Sequence, residues 1–224
     1  MINILVYPLK VTKLLFKNYC YLIVHPETRE AILIDPAWEI DKIEYQISIC
    51  EAQLKAILLT HHHIDHVNLA DFFANRYNIP VRISRIEMDF YGFSCRHLVP
   101  IDHPDELSFG QIRVQPIFTP GHTKGAICYW IEGALFTGDT LFIEGCGMCF
   151  GYGSNPSEMF DSLSYLKKTI FPEVHIYPGH SYGQEPGHSF AHLLENNIYL
   201  GFKNREEFIA FRMRKNQKGL LKFS

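Results

Sequence analysis

The sequence predicts an α/β fold in which two β-sheets pack face to face and helices cover both outer faces. Three observations point there. Short β-rich runs occur in two halves of the chain, and each half also holds stretches with apolar residues at helical spacing. Four histidine- or aspartate-bearing segments each follow a predicted strand, and strand ends on a rigid sheet are where functional groups are usually presented.

The elements follow in order. Met1 to Lys17 is moderately apolar but has no continuous hydrophobic stretch or small-residue cleavage site, so it reads as a first strand and not as an export signal. Asn18–Val24 and Ala31–Ile34 form a predicted hairpin joined by His25-Pro26-Glu27-Thr28-Arg29, and Asp35-Pro36-Ala37 ends its second strand. Ile40 to Leu54 carries Ile40, Ile43, Ile47 and Leu54 near helical spacing, which predicts a helix. Lys55 to Thr60 reads as a buried strand. A helix with Leu69, Phe72, Phe73 and Tyr77 on one face comes next and stops at Pro80. Ile112 to Phe142 alternates short strands with glycine-bearing turns. Asn155-Pro156-Ser157-Glu158 has the order of an N-cap, an N1 proline and an N3 glutamate, and so opens a helix that turns Met159, Phe160, Leu163, Leu166 and Ile170 toward the core. Glu173 to Tyr177 is the predicted last strand. A length of 224 residues suits one domain over residues 1–224, with residues 183–224 as a helical, basic extension on the substrate side.

Composition narrows the function classes. The chain is 47% hydrophobic and 20% charged with a net charge of −3, which argues against a general nucleic-acid-binding surface. Gly201 to Ser224 holds seven Lys/Arg against two Glu, a net of +5, so the preceding residues carry −8. No apolar run approaches the ~20 residues a membrane span needs. Six cysteines without an export signal predict reduced thiols and a cytoplasmic protein. Cys146 and Cys149 lack the second ligand pair of a zinc knuckle and the helix start of a redox motif, so they read as ordinary thiols.

Thr60-His61-His62-His63-Ile64-Asp65-His66 is the most informative segment. In an extended chain residues two apart share a face, so His61 and His63 point together while His62 points away. A turn into a following helix brings Asp65 and His66 beside them. Gly121-His122, Gly138-Asp139 and Gly179-His180 follow in order, and a glycine there lets the strand end turn sharply. His61, His63 and His122 can hold one metal ion, Asp65, His66 and His180 another, and Asp139 can bridge the two. Imidazole and carboxylate ligands suit zinc, iron or manganese, with zinc the default for hydrolysis. His25, His97, His103 and His175 have no such partners, and His188 and His192 read as surface residues.

The series THHHIDH, GHT, GDT and PGH resembles the metallo-β-lactamase superfamily, in its glyoxalase II-like branch of hydroxyacylglutathione hydrolases, from about Asn18 to Ile198. That resemblance implies a four-layer αββα sandwich with a short C-terminal helical tail. It implies that Asp65 and Asp139 serve catalysis, with a hydroxide bridging two zinc ions as nucleophile. Asp35 resembles the family's buried aspartate that orients ligands, and reads equally as a turn residue before Pro36. An aspartate at position 139, where lactamases of this fold usually have cysteine, turns the reading away from lactam hydrolysis. The branch holds glutathione through a lysine soon after Gly-Cys-Gly, but here Gly145-Cys146-Gly147 is followed by Met148. Its tyrosine and Arg-x-x-Lys are matched by Tyr182, Arg212 and Lys215. Asp35-Pro36-Ala37-Trp38, the stretch from Tyr177 to Leu200, and Phe211 to Gln217 are similar to zinc-dependent hydrolases of bacillaene-type polyketide biosynthesis. The implied substrate is an acyl group on acyl-carrier-protein phosphopantetheine, and the basic tail suits an acidic carrier. A glutathione thioester hydrolase, a mononuclear iron persulfide dioxygenase and a non-catalytic binding module remain the alternatives.

Overall fold

Alternation along the strands divides the core into three. The computed structural model describes residues 4–14, 16–215 and 217. The first half of the chain runs β1 (Leu5–Lys13), β2 (Phe16–Val24), β3 (Glu30–Ile34), α1 (Ile40–Ile49), β4 (Gln53–Leu58), α2 (Ile64–Val67), α3 (Ala70–Tyr77), β5 (Val81–Ser84), α4 (Arg85–Tyr91) and β6 (Leu98–Ile101). Its strands form one six-stranded sheet in sequential order, antiparallel from β1 to β3 and parallel from β3 to β6. The second half runs β7 (Leu107–Phe109), β8 (Ile112–Phe118), β9 (Ile127–Ile131), β10 (Ala134–Gly138), α5 (Pro156–Thr169), β11 (His175–Pro178), β12 (His188–Ser189), α6 (Phe190–Asn196), α7 (Ile198–Gly201) and α8 (Arg205–Arg212). Its six strands also pair in sequential order, and only β10 and β11 run parallel.

On β2, Tyr19, Tyr21 and Ile23 face the opposite sheet while Cys20, Leu22 and Val24 face the helices. On β9, Ile127, Tyr129 and Ile131 likewise meet the first sheet and Cys128 points outward. The inner cluster therefore draws residues from both sheets. Ile43, Ile47, Phe73 and Ala74 from α1 and α3 cover the first sheet, and Met159, Leu163, Leu166, Phe190 and Phe208 cover the second. Two sheets between two helical layers make the four-layer αββα sandwich, and α6 to α8 form its C-terminal helical part.

Three expectations need correction. The first helix stops at Ile49, because Glu51 takes a left-handed φ of 49° and turns the chain into β4, so Leu54 packs from a strand. On α3 the buried residues are Ala70, Phe73 and Ala74, while Phe72 is 38% exposed. A further short strand, β12, pairs antiparallel with β11 after the strand expected to be last. The cap of α5 is as the sequence predicts: Asn155 Oδ1 accepts from the N–H groups of Ser157 and Glu158 at 2.9 and 3.3 Å.

The sheets are stitched together where the candidate ligands lie. The Tyr19 N–H donates to Gly179 O at 2.8 Å and the Tyr21 hydroxyl to Pro178 O at 2.5 Å. From the other side, the Ile127 N–H donates to Thr60 O at 2.9 Å and the Tyr129 hydroxyl to Leu59 O at 2.8 Å.

Candidate metal centre

Each candidate ligand follows a strand end or sits on the one-turn helix α2. His61 and His63 come after β4, Asp65 and His66 ride on α2, His122 follows β8, Asp139 follows β10 and His180 follows β11. The structure brings all seven together. His61, His63 and His122 place ligand atoms within 4.8 Å of one another, as do Asp65, His66 and His180, and as do His61, His66 and Asp139. The His63 Nδ1 is 3.0 Å from both His61 Nε2 and His122 Nε2. Asp139 lies between the groups, 3.4 Å from His66 Nε2, 3.5 Å from His122 Nε2 and 3.6 Å from His180 Nε2. Close approach needs Gly179, where a Cβ would stand 2.5 Å from His66 Cε1 and 2.6 Å from Asp139 Oδ1.

The outer ring nitrogens are already engaged. His122 Nδ1 is 2.8 Å from Met148 O, His180 Nδ1 is 2.7 Å from Lys17 O, and His66 Nδ1 is 2.9 Å from Asp35 Oδ2. Thr60 links His61 to the same aspartate: His61 Nδ1 is 3.0 Å from Thr60 Oγ1, which donates to Asp35 Oδ2 at 2.6 Å. A proton held on each Nδ1 leaves the Nε2 lone pair facing inward, the arrangement metal-binding histidines adopt. Burial lowers His63 to about 4 and holds His61 well below the ordinary imidazole value, and it lowers His122 too. These rings are therefore neutral, as ligands must be. Burial opposes charge on Asp139, but His180, His66 and His122 outweigh it and keep the carboxyl ionised. Burial opposes charge on His66 as well, yet Asp139 and Asp65 push its pKa up. His66 Nε2 and Asp139 Oδ1 are buried without a hydrogen-bond partner. An orphaned imidazole nitrogen beside an orphaned carboxylate oxygen, with neutral imidazoles around them, fits a divalent cation.

His62 points away from the cluster, to the buried carboxylate of Glu87, 2.5 Å from its Nδ1. Burial works against that charge, but hydrogen bonds from His62, Thr123 and the Gly125 N–H keep Glu87 ionised. Glu87 and the carbonyls of Lys17 and Met148 are the participants that the sequence reading missed. Tyr182 packs against Phe142 with ring centroids 5.5 Å apart, and Phe142 packs against His180 at 6.1 Å. Burial, then Asp139, push the Tyr182 hydroxyl pKa up.

The tail differs from expectation. Helix α8 ends at Arg212, because Gln217 Nε2 donates to the carbonyls of Arg212 and Arg214 and turns the chain. Arg212 and Lys215 therefore do not share a helix face. Arg212 is only 1% exposed, with its guanidinium carbon 5.6 Å from the Phe150 and Tyr199 ring centroids, while Lys215 is exposed. Lys218, also counted in the basic tail, lies outside the described residues. Cys146 and Cys149 are free and buried, and burial raises both thiol pKa values, Cys149 to about 11. The His188 and His192 rings pack at a tilt with centroids 4.4 Å apart, and His192 Nε2 meets Gln184 Oε1 at 3.1 Å. Among the described residues no helix is long and apolar enough to cross a membrane.

Known proteins resemble this chain to different depths. The family model described as metallo-beta-lactamase superfamily matches residues 15–180. The chain is 47% identical over 218 residues to the probable polyketide biosynthesis zinc-dependent hydrolase PksB of Bacillus subtilis, covering 97% of each chain. It is 32% identical over 206 residues to a probable hydroxyacylglutathione hydrolase of Schizosaccharomyces pombe, covering 86% of this chain and 76% of that one. The crystal structure of ETHE1 from Myxococcus xanthus superposes with a TM-score of 0.81 at 31% identity, covering 94% of this chain and 92% of that one.

Proposed function

Since the chain belongs to the metallo-β-lactamase superfamily, we propose that it is a zinc-dependent hydrolase of polyketide biosynthesis that cleaves thioesters of acyl groups on acyl-carrier-protein phosphopantetheine. The observation that carries the hydrolase reading is the convergence of His61, His63, Asp65, His66, His122, Asp139 and His180, with the outer ring nitrogens of His61, His66, His122 and His180 already held. His61, His63 and His122 would hold one ion and Asp65, His66 and His180 a second, with Asp139 reaching both. Ions bound there supply Lewis acidity, making a water nucleophilic near neutral pH and polarising a carbonyl.

The protein's own groups do the positioning. Asp35 fixes the tautomer of His66 directly and that of His61 through Thr60. Asp65 and Asp139 stay ionised and serve as ligands. The Cys146 and Cys149 thiols stay protonated at neutral pH, so neither is a nucleophile. Tyr182, Arg212 and Lys215 form the substrate side of this reading. Arg212 is only 1% exposed, so within this reading it acts by holding the tail through Tyr199 and Gln217.

The carrier-bound substrate is supported by the identity to a polyketide biosynthesis hydrolase over nearly the whole chain. Metal analysis of purified protein should give close to two zinc ions per chain. A thioester panel should show faster turnover of acyl-carrier than of glutathione thioesters, with Cys146→Ala and Cys149→Ala active. Protein that folds but binds one ion through three of these residues overturns the two-ion assignment. A preference for glutathione thioesters overturns the substrate, and an acyl adduct trapped on any side chain overturns the water nucleophile.

A further inference from the structure

We infer that Glu87 is a positioning residue that holds the His61, His63 and His122 group at the spacing a metal ion requires. The inference rests on the metal reading above. Glu87 lies on α4, outside every ligand-bearing segment, and its side chain is fully buried. A carboxylate survives such burial only when donors surround it. Its Oε2 accepts from the His62 N–H at 2.9 Å and from His62 Nδ1 at 2.5 Å, and its Oε1 accepts from the Gly125 N–H at 2.8 Å. His62 stands between His61 and His63, and Gly125 follows His122 by three residues. One side chain thus ties the loop after β4, in the first sheet, to the loop after β8, in the second.

The rest of α4 repeats the grip. Ser84 Oγ accepts from the Glu87 N–H at 3.0 Å and donates to Gly125 O at 2.6 Å, so Gly125 is held through both its N–H and its carbonyl. A Cβ at Gly125 would lie 2.4 Å from Ser84 Oγ and 2.7 Å from Glu87 N, which shows how tightly the loop is pressed on the helix start. Four residues on from Glu87, the Tyr91 ring stacks on His62 at 3.7 Å and 16°, and its hydroxyl accepts from the Lys124 N–H at 2.9 Å. Glu87 and Tyr91 each touch His62 and the 124–125 segment, so α4 is a clamp across both loops.

Every hydrogen bond to the Glu87 carboxylate comes from a donor. A glutamine in its place must turn its amide NH2 toward one of these donors, and either the Gly125 or the His62 contact is lost. Glu87 grips the segments that carry His61, His63 and His122, so its effect should fall on the three-histidine group.

The test uses Glu87→Gln, with zinc affinity read by competition against a chromophoric chelator and the metal-free fold read by circular dichroism and Tm. The expected result is a loss of about 10- to 100-fold in affinity for one of the two zinc ions, with the metal-free protein still folded. A purely structural role would lower the metal-free Tm and leave zinc affinity unchanged, and that result overturns the inference. If Glu87→Gln does not fold, His62→Ala carries the test. It removes the Nδ1 contact, the Tyr91 stack and the His62 ring's packing on His63 while leaving the Gly125 contact in place, and it should weaken zinc binding in the same direction by a smaller factor; unchanged affinity in His62→Ala overturns the inference. Wild-type protein that binds no zinc would instead overturn the metal reading itself, which keeps the two failures apart.

Discussion

Asp35 adopts a left-handed φ of 50° at the end of β3, which presses its carboxylate into the sheet interface. There it accepts the Thr60 N–H at 2.8 Å on one oxygen, and on the other the Thr60 hydroxyl and His66 Nδ1. Asparagine tolerates that backbone conformation but loses one acceptor. Asp35→Asn is therefore expected to fold and to bind zinc about 10- to 100-fold more weakly, measured by chelator competition. The seven candidate ligands were legible because a His-x-His pair on an extended chain and a glycine before a lone histidine or aspartate leave a local trace. Their supports leave less. Lys17 and Met148 act through carbonyls that no side chain advertises. Glu87 follows Ser84 at capping-box spacing, so it reads as a helix start although its carboxylate reaches His62 and Gly125 instead. Arg212 reads as a substrate contact because it matches an Arg-x-x-Lys spacing, and nothing in that spacing tells that its side chain is buried. It is buried because the Tyr199 hydroxyl and Gln217 Oε1 each accept from its Nη1 at 3.0 Å.

Helix α5 joins local sequence to the site at the scale of an element. Its Asn155 caps the first turn by side chain, while the Asn155 N–H donates to Gly121 O at 2.8 Å, one residue before His122. Asn155→Ala removes the cap and keeps the backbone tie. It should cost roughly 0.5–2 kcal/mol, a Tm drop of roughly 2–4 °C per kcal/mol lost, read by calorimetry, with zinc affinity nearly unchanged. Elements with a long apolar period or a strong cap, such as β2 and α5, were legible. The region from β5 to β7 was not, since strands of three or four residues are shorter than the pattern that identifies them. Leu54 fits the helical spacing of α1 by coincidence, and the left-handed turn at Glu51 decides the matter.

Across the whole molecule, the sheets meet through more than apolar contact. Glu30 on β3 accepts from the N–H of Gln111, between β7 and β8, at 2.8 Å. That N–H is the main cause holding the Glu30 carboxyl below its ordinary value of 4.5. A carboxyl depressed in the folded state contributes stability above its unfolded pKa, and the contribution is lost as pH falls through the folded one. Glu30→Gln should therefore flatten the decline in stability below about pH 4.5, seen in urea unfolding at a series of pH values. At the tail Lys215 is exposed; on the proposed carrier-bound substrate it would meet an acidic partner, and charges of this kind act mainly on encounter. Lys215→Glu is expected to lower kcat/KM several-fold for carrier-bound thioesters at low salt, with little effect on small thioesters and less difference as salt rises. The overall sandwich was legible from strand alternation, whereas the tail's path was not, because Gln217 redirects it through two backbone carbonyls. The stitching of the sheets at Gly179, Pro178, Thr60 and Leu59 also has a kinetic consequence. Donors from both halves of the chain converge only after the halves have docked, so a folding intermediate with one sheet formed offers an incomplete set. Interactions absent from the transition state slow unfolding and leave folding alone. Zinc should then lengthen the lifetime of the native state greatly while refolding proceeds at nearly its metal-free rate, a contrast that stopped-flow traces with and without zinc would display.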